Sequence, residues 1–308
     1  MSDRFDYLEL SDEKPKTPPA DQETAPAGTS LGWKPLKLRA VEVIGTPDAT
    51  PQPFSAPLGL IVDRLGALYV VDSNNHRIQR ILGCNFWIYG KPGNGPGQLW
   101  GPSAVAVDGS GQFLFVAEQG NNRIQCLRVS GQHYVTYAGQ TYGFRAPSGV
   151  AFDMEGMLWI ADTGNGRVLR MDPRSGQIIG GMDRSVGIVQ PISLACDLAH
   201  NIYVTDAATN DVTRYTYFGI RVHALGEIRR LSAPRQVAVD AQGRIYMAES
   251  GANRLHVFDA QGNSLIVFDT PSTQLGPMKS PSGVALGPNG EIYVADTLNN
   301  RVLRLEWA

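Results

Sequence analysis

The sequence of 308 residues is poor in the residue types that build most metal and redox sites. It has three cysteines, Cys84, Cys126 and Cys196, and each lies more than 40 residues from the next. This spacing contains no CxxC pair, and an odd number of cysteines excludes a complete disulfide set. We therefore expect unpaired cysteines, buried in strands, in a protein from a reducing compartment.

Long apolar runs are also absent. No stretch of 18 apolar residues is present that could cross a membrane as a helix. The N-terminal sequence MSDRFDYLEL is acidic and lacks the apolar centre of a signal peptide. These absences predict a cytoplasmic protein without a membrane span.

A strong charge of one sign is missing too, since the net charge is −2. Residues 1–35 carry seven acids and four bases, a net charge of −3, which leaves residues 36–308 at +1. A nearly neutral body offers no broad basic face, so we do not expect nucleic-acid binding.

The sequence does contain a repeat, and repeats decide the architecture. Two of the copies read PSGVAFDMEGMLWIADTGNGRVLRM and PSGVALGPNGEIYVADTLNNRVLRL. Six copies align on a proline, and successive prolines are 45, 45, 44, 43 and 47 residues apart. These prolines are Pro57, Pro102, Pro147, Pro191, Pro234 and Pro281.

Each copy contains short apolar runs separated by Asp, Gly and Asn clusters, a pattern typical of strands and tight turns. The first copy predicts strands at 58–63, 68–72, 77–82 and 84–90, and no segment has a helical period. Four short strands in about 45 residues indicate one blade of a β-propeller. The fold class is therefore all-β, a six-bladed propeller with four-stranded blades.

The sixth copy supplies strands at 282–286, 291–296 and 301–306 but no fourth strand. A spare strand, residues 39–44, precedes the first copy. We predict that 39–44 pairs with 301–306, because the pairing completes the last blade and leaves no broken sheet.

The repeated pattern, a proline followed by VAVD, then Gly, IYVAD, a short turn and Asn-Arg-Val, resembles the NHL repeat family of six-bladed propellers. The resemblance covers residues 39–308. It implies the propeller fold and a binding role. Some NHL-like propellers are metal-dependent lyases and related six-bladed proteins hydrolyse lactones, so the fold alone implies no reaction.

Within the repeats, an acid ends each second strand and an arginine follows five residues later in all copies but the fourth. We interpret these pairs as structural ion pairs across the turn, because a functional pair would not recur around a ring. In the fourth copy Asp211 takes the place of the arginine, opposite Asp206. Two interpretations remain open, drift in a tolerant repeat or an acidic notch for a partner or cation.

The histidines do not converge on one site. They are predicted in a turn (His76), in a hairpin at the other end of a blade (His200), in outer strands (His133, His223) and in a third strand (His256). A zinc site would need three such ligands in one place. We therefore expect no metal and no cofactor, and a metal-dependent lyase or lactonase-like hydrolase at the channel mouth is the alternative.

Specificity of a binding module is expected where the repeats differ on an exposed loop. The position two before each proline differs in every blade except for two serines, and it holds Trp100 and Arg145 in adjacent copies. Trp and Arg dominate interface energetics. With His76 and Arg235 they form the predicted partner-binding patch, while ordinary surface variation is the alternative interpretation.

Residues 1–35 differ from the repeats, being rich in Pro, Ala, Thr and acids in the manner of a disordered tether. The start of this arm nevertheless holds Phe5, Tyr7, Leu8 and Leu10, which suggests a short anchor for a partner; noise or folding back onto the propeller are alternatives. The sequence thus predicts a non-catalytic protein interaction module, residues 36–308, docked by its arm to a larger multi-subunit assembly such as a phage-tail-like machine.

Overall fold

A computed structural model describes residues 36–45, 53–225, 231–270 and 275–308. Leu36–Ala308 is one compact unit. The arm at 1–35, with the predicted anchor residues Phe5, Tyr7, Leu8 and Leu10, lies outside the described residues. No helix in the described ranges is long and apolar enough to cross a membrane.

The described residues form six antiparallel sheets of four strands each. Blade 1 contains β2 (Pro57–Val62), β3 (Leu68–Asp72), β4 (Arg77–Leu82) and β5 (Asn85–Tyr89), and blade 2 contains β6 (Pro102–Val107), β7 (Phe113–Glu118), β8 (Arg123–Arg128) and β9 (His133–Tyr137). Blade 3 contains β10 (Gly149–Phe152), β11 (Leu158–Asp162), β12 (Arg167–Met171) and β13 (Ile178–Met182), and blade 4 contains β14 (Pro191–Cys196), β15 (Ile202–Asp206), β16 (Asp211–Tyr215) and β17 (Arg221–Ala224). Blade 5 contains β18 (Pro234–Val239), β19 (Ile245–Glu249), β20 (Arg254–Phe258) and β21 (Ser264–Phe268). Blade 6 contains β22 (Gly283–Leu286), β23 (Ile292–Asp296), β24 (Arg301–Trp307) and β1 (Leu38–Ile44).

The ring is closed by the first strand, as predicted. β1 pairs with β24 in antiparallel register, from Leu38 opposite Trp307 to Ile44 opposite Val302. The strand order of this blade is β1, β24, β23, β22, so the N-terminal strand is its outer strand. The six-bladed, all-β fold class is therefore confirmed.

The blades hold together through apolar contacts on both faces of each sheet. The second strands are buried along most of their length, and Leu68–Asp72 and Ile202–Asp206 are buried along all of it. Strands covered on both faces by neighbouring blades have continuous apolar sequences, which explains runs such as LYVV and IYV. The residue three before each proline is buried in every blade and packs at a blade junction: Phe54, Leu99, Phe144, Ile188, Leu231 and Met278.

The first strands line a central channel, since β2 contacts both β6 and β22. Small residues are needed where these strands approach each other. A Cβ atom at Gly283 would lie 2.1 Å from the carbonyl oxygen of Leu58 in β2. Glycine at this point therefore permits a close approach between blades 6 and 1.

The cysteine prediction is correct in part. All three thiols are free, and Cys126 is buried on β8. Burial raises the pKa of the Cys126 thiol to about 12, which makes this thiol unreactive. Cys84 is exposed in the turn before β5, so its predicted burial in a strand is wrong; the fourth strand of blade 1 begins one residue later.

Candidate functional site at the channel mouth

One face of the ring carries the loops before the six prolines and the turns between second and third strands, and we call it the mouth face. On this face, the acid at the end of each second strand accepts a hydrogen bond from the backbone N–H of the residue two before the proline. The bond fixes the loop before the proline to the end of the second strand. The donor and acceptor pairs are Ser55 and Asp72, Trp100 and Glu118, Arg145 and Asp162, Val189 and Asp206, Ser232 and Glu249, and Lys279 and Asp296.

The predicted ion pairs are confirmed in five blades. Each arginine contacts the carboxylate across the turn at 2.6 to 3.0 Å: Arg77 with Asp72, Arg123 with Glu118, Arg167 with Asp162, Arg254 with Glu249, and Arg301 with Asp296. All five carboxylates are fully buried. Since the same pair recurs in five blades, its role is structural, and four of the arginines also donate to carbonyl oxygens of the loop that leads into their own blade.

Blade 4 satisfies its buried acid without an arginine. The carboxylate of Asp206 accepts four backbone N–H groups, those of Val189, Gln190, Ala208 and Thr209, at 2.7 to 3.3 Å. Asp211 lies opposite Asp206 in the strand register and accepts the N–H of Val212 at 2.7 Å. Backbone donors therefore replace the missing guanidinium.

In four blades a side chain at the end of the turn between the second and third strands joins the blade to the next. Asn300, Asn122 and Asn253 have left-handed backbone conformations, and each accepts the N–H of the residue before the next proline at 2.7 to 2.8 Å. His76 occupies this position in blade 1, and its Nδ1 accepts the N–H of Gly101 at 3.1 Å. The structure therefore gives His76 a place in the junction between blades 1 and 2.

The same imidazole supports Trp100. The two rings stack with centroids 4.2 Å apart and planes 16° from parallel. The indole also packs over Gly120, where a Cβ atom would lie 2.2 Å from Trp100 Cδ1. Trp100 is 48% exposed, so a rigidly held indole faces solvent on the mouth face.

The two predicted arginines lie in different places. Arg145 follows Trp100 around the ring by one blade and packs over Gly164, whose Cβ position lies 2.6 Å from Arg145 Cγ. Arg235 is on blade 5, across the ring from blade 2, where its Nε lies 3.4 Å from Ser250 Oγ and its side chain lines the channel. The structure thus brings His76 and Trp100 together, places Arg145 next to them, and separates Arg235 from them.

The channel mouth forms a polar cavity of about 310 Å³. Six hydroxyl side chains line it, and Arg235 is its single charged lining residue within the described ranges; the hydroxyls are those of Ser103, Ser148, Ser193, Ser280, Ser282 and Thr297. Several hydroxyls donate to backbone carbonyls of the next blade, as Thr297 does to Pro57 at 2.8 Å and Ser148 to Ile192 at 3.2 Å. The hydroxyls therefore contribute both to the blade junctions and to the polar surface of the cavity.

Comparison with known proteins identifies the repeat. The NHL repeat family matches residues 54–81 and 278–305, which include parts of blades 1 and 6. The chain thus carries NHL repeats in blades 1 and 6 of a six-bladed propeller. NHL repeat-containing protein 3 from mouse is 26% identical over 208 residues, which cover 60% of this chain and 58% of the relative. The human protein of that name is 28% identical over 130 residues, or 39% of this chain and 37% of the relative. The chain thus spans less than two thirds of the curated relatives it matches.

Solved structures show how widely the fold is shared. A streptogramin B lyase is 14% identical with a TM-score of 0.62, covering 89% of this chain and 98% of the lyase. A gluconolactonase from Xanthomonas campestris is 16% identical with a TM-score of 0.64, covering 83% and 87%. A chain of the nidogen/laminin complex is 18% identical with a TM-score of 0.62, covering 76% and 85%. Such low identities establish the propeller fold for this chain and no activity.

One residue of the propeller's channel was not singled out from the sequence. Gln236 follows the proline of blade 5 by two positions, where the other blades have Gly59, Ala104, Gly149, Ser193 and Gly283. Its side-chain amide pairs with Leu60 of blade 1, accepting the backbone N–H at 2.9 Å and donating to the carbonyl at 2.7 Å. Gln236 also lines a second cavity of about 290 Å³ farther along the channel, whose other lining side chains are hydrophobic. A long polar side chain among five small ones was the available sequence signal.

The histidines of the propeller are as dispersed as predicted. His133 and His223 lie on the outer strands β9 and β17, and His256 is buried in β20. In the described residues, no three His, Cys, Asp or Glu side chains are grouped so that they could hold a metal ion. The mouth face is therefore best described as a surface with one rigid indole, exposed cations and a shallow polar cavity.

Proposed function

We propose that the propeller is a protein interaction module that binds an acidic partner, without catalysis, through the mouth face around Trp100. The observation that carries this proposal is the exposed indole of Trp100, stacked on His76 and fixed by the bond from its backbone N–H to Glu118 at 3.0 Å. An immobilised aromatic side chain loses little conformational entropy on binding, so its buried area contributes efficiently to affinity.

Charge on the mouth face supports an acidic partner. The strand-end acids are buried, and five of them are neutralised by arginines of the same blade. Arg145, Arg235 and Lys279 are exposed on this face, and none forms an ion pair with another described residue. Exposed cations beside a neutralised acid ring raise the association rate and the specificity for acidic surfaces.

The shape of the channel favours surface binding over passage of a ligand. Gln236 spans from blade 5 to the backbone of Leu60 in blade 1, which leaves a shallow bowl at the mouth. A folded partner covering Trp100 and Arg145 would also cover this bowl, and Arg235 would then meet an acidic group of the partner. The nidogen/laminin complex is an example of a propeller of this fold within a complex of two proteins.

Replacing Trp100 with Ala should weaken the native complex about 30-fold, because truncating a central aromatic anchor costs about 2 kcal/mol. The measurement is quantitative co-purification of partners with the tagged protein from its native cells, followed by titration of the recovered partner. Phe218, which is 85% exposed in the turn after β16 at the opposite end of its blade, provides the control variant Phe218→Ala. Equal affinities of the Trp100→Ala and Phe218→Ala variants for the partner would show that the mouth face does not take part in the interaction.

We also propose that residues 1–35 dock the protein to a larger assembly in the cytoplasm. The acidic, proline-rich composition with four apolar residues supports a tether with a short anchor, and three free thiols fit a reducing compartment. Burial of several apolar side chains contributes about 1.5 to 3 kcal/mol each, before the ordering cost of the segment is subtracted.

The triple variant Phe5→Ala, Tyr7→Ala, Leu8→Ala should release the protein from its assembly while the melting temperature of the propeller stays unchanged, because the compact unit of the propeller begins at Leu36. Sedimentation of native extract reports whether the protein remains in a large particle. A triple variant that still sediments with the particle would transfer the docking role to the mouth face.

A further inference from the structure

A chain of three polar side chains crosses blade 5 from its buried second strand to its outer strand. Nδ1 of His256 lies 2.7 Å from Glu249 Oε1, and Nε2 of the same ring lies 2.7 Å from Ser264 Oγ. His256 is 1% exposed and Glu249 is fully buried. A hydroxyl, an imidazole and a carboxylate in this order form the arrangement in which a base activates a nucleophile and an acid orients the base.

The two hydrogen bonds determine which ring nitrogen carries the proton. An ionised carboxylate only accepts hydrogen bonds, so Nδ1 of His256 must donate to Glu249. In the neutral ring Nε2 is then an acceptor, and the Ser264 hydroxyl donates to it. This tautomer is the one that a general base needs, with its lone pair directed at the hydroxyl proton.

Several contacts keep Glu249 ionised and His256 in place. Burial opposes the charge of Glu249, but hydrogen bonds from His256 and Arg254 outweigh it and hold the pKa of Glu249 below its usual range. The backbone N–H of Ser232 also donates to this carboxylate at 3.2 Å. The imidazole lies 3.9 Å from the Phe258 ring, centroid to centroid, which restricts its rotation. The imidazole of His256 is therefore held at Nδ1 by Glu249, at Nε2 by Ser264 and beside its ring by Phe258.

Strand register explains why Ser264 reaches the histidine. A register shift in the β20 and β21 pair places Ser264 opposite Phe258. Phe258 lies two residues after His256, so both point to the same side of the sheet, and cross-strand partners share that side. The bulge thus brings the hydroxyl onto the histidine face; β-bulges often redirect side chains next to active sites.

The other blades show what this position does when it is only structural. Gln79 and Gln125 occupy the equivalent place in blades 1 and 2, and each donates its side-chain amide to the buried acid of its blade at 2.8 to 2.9 Å. An amide can brace the carboxylate as the imidazole does, but it cannot accept a proton at neutral pH. In blade 5, His256 makes the same contact with the buried acid through Nδ1, and its Nε2 is in addition a base next to the Ser264 hydroxyl.

The hydroxyl is within reach of solvent. Ser264 is half-buried at the start of β21, which is the outer strand of its sheet. Backbone N–H groups on the open edge of an outer strand lack ladder partners and are able to donate to a developing oxyanion. Val267, the cross-strand neighbour of His256, is 47% exposed and gives an apolar surface on the same side.

We propose that Ser264 is a nucleophile, activated by His256 and Glu249, that reacts with activated esters of apolar carboxylic acids. Ser264 Oγ forms a bond to the acyl carbon while its proton passes to His256 Nε2. The ester C–O bond breaks, and the leaving oxygen takes that proton to give the alcohol and an acyl-serine. Water then attacks the acyl carbon with His256 as base, which releases the carboxylic acid and restores the hydroxyl. The reacting hydroxyl of Ser264 is on the outer strand of blade 5. Glu249 also belongs to the ring of acids on the mouth face, but the reaction does not require the proposed partner.

The probe for this proposal is an alkyl fluorophosphonate, which forms a stable Ser Oγ–P bond with loss of fluoride. Intact mass and peptide mapping of the full-length protein should show labelling of Ser264 at least about 100-fold faster than that of the exposed turn serine Ser130, because general-base assistance contributes about 10²- to 10⁴-fold. The variant Ser264→Ala should lose the label in that peptide.

The decisive variant is His256→Gln, which gives blade 5 the side chain that blades 1 and 2 carry and therefore keeps the brace to Glu249. Its labelling rate at Ser264 should fall to that of Ser130 at an unchanged melting temperature. Equal labelling of Ser264 in wild type and His256→Gln, or a wild-type rate at Ser264 no higher than at Ser130, would overturn the proposal. The comparison of the two serines in the wild type remains decisive even if the variant fails to fold.

Discussion

Deleting residues 1–45 should lower the free energy of unfolding by roughly 5 kcal/mol, because it removes the strand that completes blade 6. Ile44 is buried, and Leu38, Ala40 and Val43 pack against the core that blade 6 shares with its neighbours. The deletion also exposes β24 as a long sheet edge. For a domain of this size the loss corresponds to a decrease in melting temperature of about 10 to 20 °C.

The control is deletion of residues 1–34, which leaves β1 in place and should change the melting temperature of the propeller little. Thermal unfolding followed by circular dichroism and by calorimetry compares the two truncations with the full chain. Two truncations that melt at the same temperature would show that β1 contributes nothing to closure. Aggregation of the longer deletion alone is the further sign expected of an open strand edge.

The second large effect is expected at the buried ion pairs. Replacing Arg123 with Ala should destabilise the protein by about 3 to 5 kcal/mol, because it leaves the carboxylate of Glu118 buried without its cation. Arg123 Nε lies 2.7 Å from Glu118 Oε1. The guanidinium also donates to the carbonyl oxygens of Asn94 at 2.5 Å and Gln98 at 2.7 Å, so the substitution releases the loop between blades 1 and 2 as well.

The matched control is Arg39→Ala on the outer strand β1. Arg39 and Glu306 form an exposed ion pair at 3.7 Å, with 66% and 36% of the side chains accessible. An exposed pair of this kind contributes about 0 to 1 kcal/mol. Urea unfolding of both variants measures the difference. A cost for Arg123→Ala as small as that for Arg39→Ala would mean that the recurrent pairs do not stabilise the turns.

Replacing both Glu118 and Arg123 distinguishes the loss of the ion pair from the cost of a buried carboxylate without a cation. The double variant Glu118→Gln, Arg123→Met removes the uncompensated carboxylate and should recover part of the stability lost in Arg123→Ala. Recovery is expected to be incomplete because the loop carbonyls of Asn94 and Gln98 remain without their donor.

The period of the sequence determined the architecture by itself. Strand alternation, turn residues and the spacing of the prolines are local patterns, and each is imposed by backbone hydrogen bonding and burial that recur in every blade. The spare strand at 39–44 and the missing strand after 301–306 likewise predicted their pairing, because an incomplete blade at one end matches a lone strand at the other. The strand-end acids and their arginines were recognisable as structural pairs since they repeat around the ring.

Tertiary structure decided which side chains meet. The sequence grouped Arg235 with Trp100, but the two lie on blades across the ring, whereas His76 reaches Trp100 because it occupies the junction position that asparagine holds in other blades. The contact between His256 and Ser264 depends on a register shift of one residue in the last strand pair of blade 5. Gln236 reaches Leu60 only because the ring brings blades 5 and 1 around one channel. Such contacts join residues that are distant in the chain or differ by a single register step, and no local pattern of the sequence encodes them.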